Sequence, residues 1–220
     1  MQPTHNKLRF DIVFIFILLA IPIGIWLMMQ PISERFNTST MILTSIGQLT
    51  GLVGMTLVAL SMIFQVRLSK YFNLVTIKPT AVTDIHHYLG VYGLLLLLIH
   101  PIILAVRFLP ISLALTSSFL FTTNLINLSG TVALFIMIIS IYVSLFVPRT
   151  FRFWKLLHQI MLIAYAFILY HLLFVSSDIT RSVPLRSYIL IITILGGVAF
   201  GWQKVSYYIN KFGKKNEISN

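Results

Sequence analysis

The sequence predicts an all-α, polytopic membrane protein, with six transmembrane helices in a single domain over residues 1–220. Hydrophobic residues make up 58% of the chain, charged residues 10%, and the mean hydropathy is +0.93. A soluble domain typically has about 25% charged residues. The apolar residues also form stretches of about 20, the length that an α-helix needs to cross a bilayer.

The first three spans are predicted at residues 8–29, 41–65 and 85–106. The first is too long for the core of a signal peptide, and no small-residue cleavage site follows it. The second stays apolar until just before Arg67, and Pro110 lies shortly after the third. Proline and basic residues are typical of helix ends.

The last three spans are predicted at residues 126–147, 154–175 and 185–208, with a short basic tail over 209–220. Pro148 directly follows the fourth span, and Pro184 directly precedes the sixth. The residues between the fourth and fifth spans are few and basic, so we expect a short loop there and no further soluble domain.

Lysine and arginine are distributed unevenly between the two sides of these spans. The side that holds the N-terminus receives Lys7, Arg9, Arg67, Lys70, Lys78, Arg149, Arg152, Lys155, Lys204, Lys211, Lys214 and Lys215. The other side receives Arg35, Arg107, Arg181 and Arg186. This positive-inside bias predicts cytoplasmic termini. We expect the chain to be an integral protein of a bacterial cytoplasmic (plasma) membrane. Because the basic residues lie at the ends of apolar spans, the formal charge of +11 does not indicate a nucleic acid partner.

Four histidines lie inside two of the predicted spans. His86 and His100 are 14 positions apart in the third, and His158 and His171 are 13 apart in the fifth. At about 1.5 Å per residue, each pair covers about 20 Å of membrane depth. Because imidazole is a common axial ligand of haem iron, the pattern predicts two stacked haems. The inner pair is His86 with His158, and the outer pair is His100 with His171.

The sequence contains no cysteine, which excludes iron–sulfur clusters and thioether-attached haem. The predicted cofactors are therefore two non-covalent b-type haems.

The rotational positions fit one pair better than the other. At about 100° per residue, 14 positions fall only about 40° short of four turns, whereas 13 positions miss by about 140°. His87 is an alternative inner ligand, because it is also 13 positions from His100. We prefer His86, because it shares a helix face with His100.

Histidines inside a membrane could instead serve a metal or proton transporter. Such sites usually include carboxylates. The acidic residues of this chain are Asp11, Glu34, Asp84, Asp178 and Glu217. Asp11 and Asp84 are the two close to a span, both toward the cytoplasmic end, so a haem protein is the preferred interpretation.

Basic residues next to the spans are candidates for contacts with haem propionates. Arg67, Arg149, Arg152 and Lys155 lie on the cytoplasmic side, where they could alternatively dock an electron donor or serve as ordinary membrane anchors. Arg107 lies on the outer side, which topology disfavours. It could meet outer propionates or an anionic acceptor.

Several motifs together resemble the ferric-reductase-like transmembrane superfamily. They are the His-x-x-Leu-Gly run at His86 followed by His100, the Leu-His pair ending at His158 followed by His171, and the stretch 47–67. This superfamily includes ferric-chelate reductases, NADPH oxidases and the membrane subunit of the periplasmic methionine sulfoxide reductase system. The resemblance covers about residues 41–175. It implies the four histidines as axial ligands and electron transfer from a cytoplasmic flavin- or NAD(P)H-linked donor to an outer acceptor.

The sequence departs from parts of the superfamily in three places. It has no G-x-G-x-x-G run and ends soon after Tyr208, so we expect a separate flavin reductase or dehydrogenase as donor, with any flavin supplied by that partner. Leu104 stands where the oxidases carry a further histidine, which argues against oxygen as acceptor. A His-His pair opens the third span, where the sulfoxide-reductase subunit has a basic stretch. We therefore expect a ferric chelate or an exported oxidoreductase as acceptor, with the sulfoxide-reductase role as the alternative.

Overall fold

The computed structural model describes residues 4–65, 79–109, 111–115, 125–148, 156, 159–175 and 177–218. Within these ranges the secondary structure is helical, without strands. The helices are α1 (Thr4–Met28), α2 (Ile32–Arg35), α3 (Ser39–Gln65), α4 (Pro79–Val106), α5 (Leu125–Phe146), α6 (Met161–Phe174), α7 (Ser177–Arg181) and α8 (Val183–Ile218). The predicted all-α class is confirmed.

Among the described residues, three helices are long and apolar enough to cross a bilayer on their own. They contain the segments Ser39–Phe64, Ile85–Val106 and Val183–Trp202. Shorter apolar segments are described in the other three long helices: Val13–Met28 in α1, Leu128–Val143 in α5 and Met161–Phe174 in α6. The count of six spans therefore stays a prediction. The largest departures from the predicted spans are in α4, which begins at Pro79, and in α8, which continues to Ile218 through most of the predicted tail.

Helix α3 lies at the centre of the described bundle. Met55, Thr56, Ala59 and Leu60 on α3 have no exposed surface, and α3 packs against α1, α4 and α8. Its glycines allow α4 to approach closely. A methyl group on Gly54 would lie 3.0 Å from the Gly93 carbonyl oxygen of α4. Small residues at helix crossings are typical of membrane bundles, where packing replaces the hydrophobic effect as the attraction between helices.

Hydrogen bonds also join helices around this centre. The Tyr188 hydroxyl of α8 donates to the Leu18 carbonyl of α1 at 2.6 Å. The Ser45 hydroxyl of α3 donates to the Arg35 carbonyl, which closes α2 onto the start of α3 at 3.1 Å. These bonds matter because an unpaired polar group in hydrocarbon is costly. The first bond joins α8 to α1, and the second joins α3 to α2.

Candidate functional site

His100 is held against α3 by one hydrogen bond and one steric contact. Its Nδ1 lies 2.6 Å from the carbonyl oxygen of Gly47. Because a carbonyl can only accept, Nδ1 must carry the proton, which leaves the lone pair of a neutral imidazole on Nε2. Gly51 lies behind the same ring, where a methyl group would stand 2.7 Å from Nδ1. The ring therefore presents the nitrogen that a metal can bind, in a fixed orientation.

His100 and His171 line the same cavity, which has a volume of about 460 Å³. That size falls within the range of about 300–1,000 Å³ for ligand sites. Its walls are mainly apolar, with Leu97, Met137 and Ile168 among the lining residues. The predicted outer pair thus shares one apolar space between α3, α4, α5 and α6.

His171 is packed in much the same way as His100, but on the opposite helix pair. A methyl group on Gly130 of α5 would lie 2.8 Å from Nδ1 of the His171 ring. In contrast to His100, the buried Nδ1 of His171 has no hydrogen-bond partner within the described ranges. Because α6 is described only from Met161, the predicted angular mismatch between His158 and His171 stays a prediction.

The two adjacent histidines of α4 have different surroundings. Nδ1 of His86 lies 2.8 Å from the carbonyl oxygen of Ser61 and 2.9 Å from its hydroxyl oxygen. His87 is exposed, and its ring contacts Tyr88 in an edge-on arrangement. The contact with α3 gives His86 the same protonated Nδ1 as His100, and it favours His86 over His87 as the inner ligand.

Several predicted site residues lie outside the ranges that the structure describes. They are Arg67, Arg149, Arg152, Lys155 and His158. The pairing of His86 with His158, and the contacts of the cytoplasmic basic residues, therefore stay predictions.

Arg107 is on the wall of the cavity that His100 and His171 share. Its Nη1 donates to the Thr44 hydroxyl at 3.3 Å, and its guanidinium carbon lies 4.5 Å from the centre of the Phe108 ring. A guanidinium at the edge of an apolar cavity suits an anionic group such as a carboxylate. The propionate contact itself stays a prediction.

Trp26, Arg35 and Asp178 form a buried cluster that sequence reasoning did not identify. Trp26 Nε1 donates to Asp178 Oδ2 at 2.9 Å, and the Arg35 guanidinium stacks 3.7 Å from the indole centre. Arg35 is 3% exposed, and its Nη1 lies 3.9 Å from Asp178 Oδ2. Burial lowers the pKa of the Arg35 guanidinium, and the Asp178 carboxylate opposes that change. Trp26 and Asp178 also line the cavity.

A signal for this cluster was present in the sequence. Arg35 and Asp178 both fall on the predicted outer side, where charged residues are few. An arginine and an aspartate on the same sparsely charged side of the membrane are candidates for an ion pair. The sequence alone does not show that these two residues come into contact.

Comparison with known families identifies the chain. The family model described as "Ferric reductase like transmembrane component" matches residues 50–169. The chain belongs to this ferric reductase-like family. Searches of curated proteins and of solved structures found no match. Membership makes the chain an integral membrane protein and supports transmembrane electron transfer in general.

Members of the ferric reductase-like family typically bind haem. The residues described here fit that group, because two imidazoles face one apolar cavity and His100 is fixed as the Nδ1–H tautomer. No group of three or more His, Cys, Asp or Glu side chains that could hold a metal ion occurs among the described residues. A haem iron with two axial imidazoles does not require such a group.

Proposed function

We propose that the chain passes single electrons across the membrane, from a cytoplasmic flavin- or NAD(P)H-linked donor to an outer acceptor, through two b-type haems. The observation that carries the proposal is the shared cavity of His100 and His171. Two imidazoles that line one cavity from different helix pairs, α3–α4 and α5–α6, suit a six-coordinate iron, and the mainly apolar lining suits a porphyrin.

The chain's own residues would hold and orient the haems. His100 and His171 would supply the outer axial ligands, and His86 with His158 the inner ones. The carbonyls of Gly47 and Ser61 fix two of these rings through Nδ1. Such second contacts set the tautomer and orientation of a metal-binding histidine.

Bound haem supplies one-electron chemistry, since its iron alternates between the ferric and ferrous states. The protein contributes burial, ligand basicity and nearby charge, and no acid, base or nucleophile is needed. Arg107 would neutralise an outer propionate or attract an anionic acceptor, such as chelated iron.

Transfer across the membrane is tested with the purified haem protein in lipid vesicles that contain ferricyanide. Photoreduced FMN is added outside, and valinomycin with potassium removes the charge imbalance. We expect internal ferricyanide to be reduced by the wild-type protein and by His87→Ala. His171→Ala should fall to the rate of protein-free vesicles, because the outer site loses a ligand. Equal rates for His171→Ala and wild type, or a purified protein without a haem Soret band, would contradict the proposal.

A further inference from the structure

The hydrogen bonds of the two α4 histidines repeat with one register. His86 and His100 are 14 positions apart, and so are their acceptor residues on α3, Ser61 and Gly47. Because α3 and α4 run antiparallel, the same backbone contact recurs at two depths about 20 Å apart. The two contacts therefore differ mainly in the side chain of the α3 residue.

That side chain gives the inner contact an additional oxygen. Nδ1 of His86 lies within hydrogen-bond distance of both the carbonyl and the hydroxyl of Ser61, at 2.8 and 2.9 Å. Nδ1 of His100 has the Gly47 carbonyl at 2.6 Å, and glycine offers no hydroxyl. A side chain at position 47 would also require Leu104 to move, because a methyl group there would lie 2.5 Å from the Leu104 side chain.

The Ser61 carbonyl determines which atoms donate and accept in the contact with His86. Because the Ser61 carbonyl can only accept, Nδ1 of His86 carries the proton, and the hydroxyl oxygen at 2.9 Å is a second acceptor of a three-centre bond. Accepting oxygens at Nδ1 make the imidazole a more electron-rich ligand. An electron-rich axial ligand stabilises ferric over ferrous iron and so lowers the potential.

We propose that Ser61 is a positioning residue whose hydroxyl holds the His86 ring and lowers the potential of the inner haem below that of the outer haem. This inference rests on the proposed function. The proposed difference in potential favours the transfer of one electron from the ferrous inner haem to the ferric outer haem. No bond forms or breaks in this step, and no proton moves. At the outer site, Nδ1 of His100 has the Gly47 carbonyl and no hydroxyl beside it, and Nδ1 of His171 has no partner within the described ranges. A lower inner potential would make outward transfer downhill.

The test is a redox titration of the purified haem protein, followed by optical spectroscopy, with Ser61→Ala as the main variant. Losing one accepting oxygen should raise the potential of the inner haem by about 30–60 mV. This is a three- to tenfold change in the equilibrium constant for reduction of that haem, since a tenfold change corresponds to about 59 mV for one electron. The outer potential should stay constant and serve as the internal reference. Repeating the titration in a His100→Ala background isolates the inner haem.

Two further variants separate a tuning role from a structural one. Ser61→Thr keeps the hydroxyl and should keep the wild-type potentials. Thr56→Val removes a fully buried hydroxyl from the same helix, one that donates to the Leu52 carbonyl, and should change neither potential. Loss of the inner haem in Ser61→Ala but not in Ser61→Thr would also support the positioning role.

The inference is wrong if Ser61→Ala titrates like wild type, or if Ser61→Thr shifts the potential as far as Ser61→Ala. Failure of the proposed function looks different, because the wild-type protein would then show no pair of haems to titrate.

Discussion

Replacing the glycines behind the two outer histidines by alanine should displace the rings that we assign to the outer haem. A methyl group on Gly51 would lie 2.7 Å from Nδ1 and 2.9 Å from Cε1 of His100. On Gly130 it would lie 2.8 Å from Nδ1 and 2.9 Å from Cε1 of His171. Ordinary contact between non-bonded heavy atoms begins at about 3.5 Å, so each ring must move by about 0.7 to 0.8 Å.

A movement of that size is several times the variation of about 0.2 Å that a metal–imidazole bond of about 2 Å tolerates. Overpacking of this kind typically costs about 1–3 kcal/mol. We therefore expect Gly51→Ala and Gly130→Ala to lose much of the outer haem and to lower the haem content from about two toward one per chain. The assay is a pyridine haemochrome measurement on purified protein.

The matched control is Gly24→Ala, because Gly24 is also a helical glycine but has nothing within 4 Å of an added methyl group. This variant should keep full haem content and gain about 0.5–1 kcal/mol of stability, since alanine is the better helix former. Full haem content and unchanged spectra in both Gly51→Ala and Gly130→Ala would refute the reasoning.

Two further predictions concern the inner ligand and the buried charge cluster. His86→Ala should abolish the inner haem signal, whereas His87→Ala should keep both haems because the His87 ring is exposed. Optical redox titration of the two variants measures this. The reverse result would make His87 the inner ligand. Asp178→Asn should destabilise the protein by about 3 kcal/mol in thermal unfolding, because it leaves the buried Arg35 guanidinium without its counter-charge. Trp26→Phe keeps an aromatic ring but loses one hydrogen bond and the buried volume of the pyrrole ring, so it should cost less, about 1–2 kcal/mol. Equal losses in these two variants would contradict an electrostatic role for Asp178.

The helical class could be predicted from the sequence because it depends on local patterns, and apolar length marks a membrane span. The spacing of the histidines along a helix predicts their depth. His100 and His171 line one cavity, and their pairing on an outer haem stays a prediction. The ends of α4 and α8 were less predictable, since polar residues can continue a helix beyond the apolar segment.

The contacts that orient the histidines could not be predicted from the sequence. Gly47 and Ser61 become acceptors, and Gly51 and Gly130 become ring supports, only through the register between neighbouring helices. That register depends on close packing along the whole interface. The contact of Arg35 with Asp178 likewise depends on where α2 and α7 meet.

The central claim is that the chain holds two haems at two depths, and haem stoichiometry in single histidine variants tests it most directly. Pyridine haemochrome analysis should give about two haems b per chain in the wild-type protein. His100→Ala and His171→Ala should each leave one haem that external reductant still reduces from the cytoplasmic side. One haem per wild-type chain, or loss of both haems in His171→Ala while the protein remains folded, would contradict the account.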